Sequence, residues 1–264
     1  MKPNLPNGVL RDPRPITEKK KDYLHEVRYS GLPVSWKEKS KWNLPSERLQ
    51  DGSSSCVKQA SATAMEILTK KIISAGTYRL RANFPEKGMW LQDCGNIDKN
   101  IGAILEAEVP SQNLSESTMN SLPLPKNYTL KITEYRQFGK LTIDAIAEAI
   151  QAYGHCILTF ESNSSEWGTT PKHLGGEISW AHAICGADYG LKKGKKVIAC
   201  RDSAGSSRVR YITEDFLANR NTGALYYTGY KIEEVKPSWT EHFLTFIKWL
   251  QNNPSKLDEI VSPK

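Results

Sequence analysis

Three side chains in this sequence have the types and settings that nucleophilic acyl-transfer chemistry needs. Cys56 follows a polar turn, Gln50-Asp51-Gly52-Ser53-Ser54-Ser55, and opens an apolar-periodic stretch that reads as a helix. A thiol at a helix N-terminus sits at the positive end of the macrodipole, which favours the nucleophilic thiolate form. The Gly/Ser turn lets backbone N–H groups converge on one point, as stabilising an oxyanion requires. Alone, a cysteine at a helix start is more often an inert core residue, so the weight rests on its partners. Of the five histidines, His25 and His242 lie in the terminal segments, His173 in a glycine-rich loop and His155 at the start of a strand. Only His182 lies inside an apolar strand, WAHAIC, where a ring would be held rigidly. Asp202 ends the apolar run KKVIAC twenty residues further on. If those two runs pair antiparallel, the carboxylate reaches the ring, fixes its orientation and stabilises its cation.

The elements that must position these groups follow from periodicity. Over VKQASATAMEILTKKII, Ala60, Ala64, Ile67, Leu68 and Ile72 fall at helical spacing, which predicts one buried face with Gly76 as a stop. A second helix is expected from about Trp90 to Ile104, and VPSQNLSESTMNSLPLPKN reads as a loop from its Pro, Ser and Asn content. Then the pattern changes. YTLKITEYRQF alternates, IDAIAEAIQAYG is a short helix, and HCILTFES, WAHAICGADYG, KKVIACRDS and ALYYTGYKI read as strands. Helices in the first half and strands in the second give an α+β fold class, with two subdomains and a cleft between them. Trp36 and Trp42 are expected packing anchors in an otherwise irregular stretch. Near the end, Ser238 and Glu241 form a capping box ahead of Trp239, Phe243, Phe246, Ile247 and Leu250, which predicts an amphipathic helix over 238–251.

Composition narrows the class. The chain has 264 residues, a formal charge of +7, 25% charged and 9% aromatic residues, which is ordinary for a globular protein and argues against disorder. No apolar run approaches the roughly 18 residues a membrane span requires. Lys19-Lys20-Lys21 and the pairs Lys192-Lys193 and Lys195-Lys196 are the densest basic points, and aromatics are not interleaved with them, so no nucleic-acid partner is expected. Five cysteines are too few and odd in number for a disulfide-stapled secreted protein. With no signal-like segment at the N-terminus, the expected location is cytoplasmic or virus-associated.

The segment LQDGSSSCVKQASA resembles the nucleophile segment of papain-like cysteine proteases, and Gln50, six residues before Cys56, holds the place of that family's oxyanion-hole glutamine. WAHAICGADYG is similar to the family's histidine strand, and ACRDSAG to its Asn-Ser-Trp-Gly segment, with Asp202 in place of the Asn. His182 and Asp202 lie downstream of Cys56 near the family's roughly 130–150-residue separations. Leu32-Pro33 with Trp36-Lys37 is similar to the family's mature start, and Lys87-Gly88-Met89 stands where a Gly-Gly pair binds substrate backbone. Val57 and Ala204 replace tryptophans, and Ser53 replaces a cysteine of a disulfide. The loss at Ala204 predicts a wetter His182–Asp202 contact. A disulfide-free chain is expected, Cys185 with Cys200 being the one pair on neighbouring strands.

The resemblance implies a papain-like two-subdomain fold with a β-barrel-like second half. It implies a protease domain over 32–235, helical over about 32–120 and β over about 121–235, between a Pro-rich basic extension 1–31 and a C-terminal piece 236–264. It implies a cysteine endopeptidase in which a Cys56 thiolate and a His182 imidazolium act together. Asp202 orients the ring and Gln50 serves the oxyanion hole. Gly88, Met89 and Ala181 contact the peptide or protein substrate. No cofactor and no metal are implied. Residues 1–31 and the helix 238–251 are candidate contacts to a larger assembly such as a virion, and residues 1–31 also a candidate inhibitor. The same triad suits another Cys-His-Asp amidase or acyl-transferase, transglutaminase-like or cell-wall hydrolase, and a structural or assembly protein could retain the fold.

Overall fold

Helix α1, Cys56–Thr69, is buried on every side along Cys56–Met65, polar Lys58, Gln59, Ser61 and Thr63 included. The single buried face expected from its apolar spacing is therefore too narrow a picture, because the sheet and the preceding loops wrap the helix. It ends at Lys70, which takes the left-handed conformation (φ 58°), well before Gly76, and Ile72 is more than half exposed. The computed structural model describes residues 8–10, 33–50, 52–82, 87–125, 128, 130–138, 141–205, 208–233, 248 and 251. The chain forms two compact units, Met1–Ile232 and Glu233–Lys264. The first holds everything discussed below. The expected helix over 238–251 lies outside the described residues apart from Lys248 and Gln251, and the extension 1–31 is described only at 8–10.

After α1 come α2 (Leu91–Asn96), which runs on into a π-helical turn over Ile97–Ile101, and α3 (Glu116–Ser121). The expected helix from Trp90 to Ile104 is thus shorter, ended at Gly102, whose φ of 117° suits only glycine. α3 interrupts the expected loop, with the Ser115 side chain accepting a hydrogen bond from the Thr118 N–H as its cap. The second half comprises β1 (Leu130–Gln137), α4 (Ile143–Tyr153), β2 (Cys156–Ser162), β3 (Trp180–Lys192) and β4 (Lys195–Arg201). It continues with β5 (Val209–Thr213), α5 (Glu214–Arg220) and β6 (Asn221–Ile232).

The six strands form one antiparallel sheet in the order β1-β6-β2-β3-β4-β5. The fold class is α+β. The sheet is open, with β1 and β5 as its edges, rather than barrel-like. Because alternate side chains leave a strand on opposite faces, the sheet divides the core. Ile157, Ala183, Cys185, Leu225 and Tyr227 pack with α1, and Leu158, Phe160, Ile184, Cys200, Ala224 and Tyr226 pack with α4 and α5. Cys185 and Cys200 thus face opposite sides, and a bridge between them is geometrically excluded. All five cysteines are free and buried. Trp36 stacks edge-on against Tyr189 and donates to Asp144 at 2.8 Å, while Trp42 packs on Tyr211. No helix among the described residues is long and apolar enough to cross a membrane.

Candidate active site

The register of β3 and β4 explains why His182 meets Asp202. Cys185 pairs with Arg201, the last residue of β4, so the chain beyond Arg201 continues beside the start of β3. His182 Nε2 and Asp202 Oδ1 lie 2.7 Å apart, and neither side chain is exposed. The carboxylate is saturated from other directions as well. The Ala204 N–H donates to Oδ1 at 2.9 Å, and the Trp167 indole N–H donates to Oδ2 at 3.2 Å. Arg210, on β5, sets its guanidinium Nε 2.9 Å from Oδ2 in an ionic contact that lacks hydrogen-bond alignment.

The expectation of a wet His182–Asp202 contact is overturned. The shield lost at Ala204 is replaced by two tryptophans from other segments, Trp167 and Trp180, whose rings meet the His182 ring edge-on at 5.8 and 6.2 Å. Trp180 begins β3 itself. Trp167 lies in the loop after β2, which Glu166 anchors through a forked pair with Arg220 of α5 at 2.7 and 2.8 Å and through Ser162. The Arg210 guanidinium also lies over the Trp167 ring.

Electrostatics follow from this enclosure. Burial works against a charged His182, but the Asp202 carboxylate and the Cys56 thiol outweigh it and push the ring up to about 10. Burial likewise opposes charge on Asp202, yet His182, Arg210 and the Ala204 N–H hold it below the usual carboxylate range. The other ring nitrogen, His182 Nδ1, makes no hydrogen bond among the described residues and lies within electrostatic reach of Cys56. Cys56 is the first residue of α1, so its own N–H has no acceptor within the helix.

Gln50 is tied to both halves of the site. Its backbone N–H donates to the Ser203 carbonyl at 2.9 Å, and its side-chain oxygen accepts from the Ser203 hydroxyl at 2.8 Å. One N–H of its amide is donated to the Ser53 carbonyl at 2.8 Å, which leaves the geminal N–H of the same nitrogen. The turn ahead of Cys56 is pinned by Glu116, which accepts from the Ser54 N–H and from the Tyr78 hydroxyl.

Gly88 has a φ of 86° and donates its N–H to the Tyr78 hydroxyl at 2.8 Å. Met89 and Ala181 offer main-chain groups to one another chain segment, residues 8–10: the Gly8 N–H donates to the Ala181 carbonyl, and Met89 both donates to Gly8 and accepts from Leu10. Sequence reasoning missed Arg210 and Trp167. The first lies on a strand it did not see, and the second in a loop without periodicity. The alternation Val209-Arg210-Tyr211-Ile212 was the available signal for Arg210. Among the described residues, no group of three or more His, Cys, Asp or Glu is arranged to hold a metal.

No protein-family sequence model matches the chain, and no curated protein sequence does. Solved structures are similar in fold. Xylellain, a cysteine protease from Xylella fastidiosa, superposes with a TM-score of 0.60 at 16% identity, over 89% of this chain and 98% of that one. The cysteine protease and lectin-like domains of Cwp84 from Clostridium difficile give 0.59 at 13% identity over 83% of this chain, which spans 58% of that chain's length. A procathepsin B from Trypanosoma congolense gives 0.54 at 12% identity, covering 73% of each chain. The fold is that of the papain-like cysteine proteases.

Proposed function

We propose that this chain is a cysteine endopeptidase that hydrolyses peptide bonds through a Cys56–His182 pair. The observation that carries the reading is the enclosed His182–Asp202 contact at 2.7 Å, with the opposite ring nitrogen left without a hydrogen bond and facing the thiol that starts α1. A buried polar atom without a partner is uncommon and calls for an explanation. Proton exchange with the Cys56 sulfur supplies one.

In this mechanism the thiolate attacks the scissile carbonyl carbon, and the carbonyl π electrons move to oxygen. The Cys56 N–H and the second N–H of the Gln50 amide stabilise that oxyanion. His182 gives its proton from Nδ1 to the leaving amine as the tetrahedral adduct collapses to an acyl-enzyme. Water, deprotonated by the same nitrogen, then releases the acid and restores the thiol. Asp202 holds the ring through Nε2 throughout. As a full charge in a buried site it needs a counter-charge, and Arg210 provides one. Thiolate, imidazolium, carboxylate and guanidinium then alternate in sign, so the buried set is neutral overall.

The test is hydrolysis of a fluorogenic peptide mixture by the full chain. Wild type is expected to turn over, and Cys56→Ser and His182→Ala are each expected to lose on the order of a thousandfold or more in kcat/KM. Turnover that survives Cys56→Ser would end the proposal.

A further inference from the structure

Cys56 takes its place from a short Gly/Ser turn that no covalent link holds, since all five cysteines are free. A turn of this composition has more backbone freedom than most, so its rigidity must come from partners outside it. Gly52 lies so close to the loop before α3 that a Cβ on it would come within 2.7 Å of the Leu114 carbonyl oxygen. Two residues on, the buried Ser54 N–H donates to Oε2 of Glu116, the first residue of α3. Glu116 Oε1 accepts from the Tyr78 hydroxyl at 2.7 Å, and that hydroxyl in turn accepts from the Gly88 N–H at 2.8 Å. Tyr78 belongs to a 3-10 turn over Gly76–Leu80 and is fully buried. Arg81 lays its guanidinium over the Tyr78 ring at 3.9 Å and donates to the Tyr78 carbonyl and to Asn120 of α3. Burial and the Glu116 contact push the Tyr78 phenol well above its usual range, so it keeps the proton it donates. One carboxylate and one phenol thus join two segments that the sequence keeps far apart.

We infer that Tyr78 and Glu116 are positioning residues of this site, bracing the turn that carries the nucleophile against the main-chain edge at Gly88 and Met89. The inference rests on the proposed peptidase reading and deepens it. Neither side chain is assigned a contact with the reacting atoms. What they fix is a spacing. A peptide held at the 88–89 edge is attacked only if its carbonyl oxygen falls on the Cys56 N–H and the Gln50 amide. A displacement of about 1 Å between edge and turn costs on the order of a hundredfold in rate.

The chemistry of the brace is specific. Both oxygens of Glu116 receive donors, an N–H on one side and an O–H on the other. An acceptor-only carboxylate suits that place, whereas a glutamine would turn its NH2 towards one of the two donors. The phenol donates in one direction and accepts in the other, a pair of roles that phenylalanine cannot fill. Gln50, at the other end of the turn, is tied independently to Ser203, so the brace acts on the Cys56 end.

The experiment uses the full chain as wild type, Tyr78→Phe, Glu116→Gln and the double variant. It measures kcat and KM on the fluorogenic peptides, inhibition by a peptide aldehyde, and alkylation of Cys56 by iodoacetamide. The aldehyde takes up the Cys56 sulfur at its carbonyl carbon and the thiol proton at its oxygen, and that oxygen needs the same donors as the oxyanion. Alkylation does not use them. Tyr78→Phe is expected to lower kcat by about tenfold or more with KM within about twofold, and to weaken the aldehyde in parallel. Alkylation should not slow and should still depend on His182. Glu116→Gln should lose more, and the double variant no more than Glu116→Gln alone, as expected of a single unit. Should Glu116→Gln fail to fold, Tyr78→Phe, which keeps the ring under Arg81, carries the test. Wild-type kcat and aldehyde affinity in Tyr78→Phe would overturn the brace and leave the peptidase reading standing. So would a loss of kcat matched by an equal loss of alkylation rate and a lowered thermal unfolding midpoint, which marks general loosening. If wild type hydrolyses no peptide, or does so without Cys56, both readings fall.

Discussion

Helix α1 carries two buried charged clusters, and they are built on opposite logic. At its start, Cys56 faces His182, Asp202 and Arg210. Further along, Lys58 and Ser61 face Asp98, Tyr227 and Cys94. In the second cluster Lys58 pairs with Asp98, Ser61 donates to the other carboxylate oxygen, and the Tyr227 hydroxyl reaches Asp98 at 2.8 Å and Ser61 at 3.1 Å. Every polar atom there has a partner, and Cys94, buried beside the Asp98 charge, is pushed up to about 12. In the first cluster two buried nitrogens, His182 Nδ1 and Arg210 Nε, are left without a hydrogen bond, and Arg210 Nε at least has the Asp202 carboxylate as an ionic partner, whereas His182 Nδ1 has no such contact among the described residues. Both clusters are desolvated alike, so burial alone does not mark a reactive site. Saturation locks the second cluster into a structural role, while the unfilled position in the first is where chemistry can occur.

The sharpest way to break this contrast is to cut each cluster at one residue. Cys56→Ser should lose activity by a thousandfold or more while leaving the thermal unfolding midpoint nearly unchanged. Asp98→Ala should do the reverse, leaving Lys58 as an uncompensated buried charge and costing about 3–5 kcal/mol of stability in urea unfolding. A large loss of stability from Cys56→Ser, or none from Asp98→Ala, would erase the distinction.

Two histidines sharpen the comparison further. His155 and His182 are equally buried, but His155 is neutral and saturated, with Nδ1 against the Tyr153 carbonyl at 2.9 Å and Nε2 accepting from the Tyr227 N–H at 3.0 Å. Burial without a carboxylate partner pushes it down to about 4. The unfolded chain therefore binds a proton near the usual 6.5 that the folded chain refuses. Stability should fall as pH drops from 6.5 towards 4, by roughly 3 kcal/mol in all. Urea midpoints at pH 7 and pH 4 for wild type and His155→Gln would show it, the variant lacking most of the change. His182 works in the opposite sense. Held up to about 10, it keeps its proton until alkaline pH, so the alkaline limb of kcat/KM should lie near 10. Asp202→Asn, which removes the charge that raises the ring, should move that limb towards neutrality.

A smaller effect isolates Arg210. The guanidinium is one of the groups holding Asp202 below the usual carboxylate range, so Arg210→Leu should raise the Asp202 pKa. The acid limb of kcat/KM should then move up, with Arg210→Lys restoring it in part. An unmoved acid limb would reduce Arg210 to packing.

What the sequence made legible follows the same division. The strands β2, β3, β4 and β6 were readable because long apolar runs report burial on both faces. The start of α1 was readable from the turn before Cys56. α3 and α5, of six and seven residues, were not, because helices so short depend on tertiary contacts and caps rather than on periodicity. β5 was missed because its buried positions include a charged residue, Arg210, which reads as solvent-facing in a sequence. His182 and Asp202 could be paired by strand reasoning. The shield around them could not, since Trp167 arrives from a loop without periodicity, anchored by Glu166 through Arg220 and Ser162.

The most direct test of the account is a site-resolved labelling of all five cysteines with an irreversible epoxysuccinyl thiol probe, applied to the full chain with and without His182→Ala and read by intact mass and peptide mapping. The account predicts one adduct, on Cys56, lost when His182 is replaced, with Cys94 and the three sheet cysteines unmodified. Labelling of Cys94 at a rate like that of Cys56, or labelling of Cys56 that does not depend on His182, would contradict it.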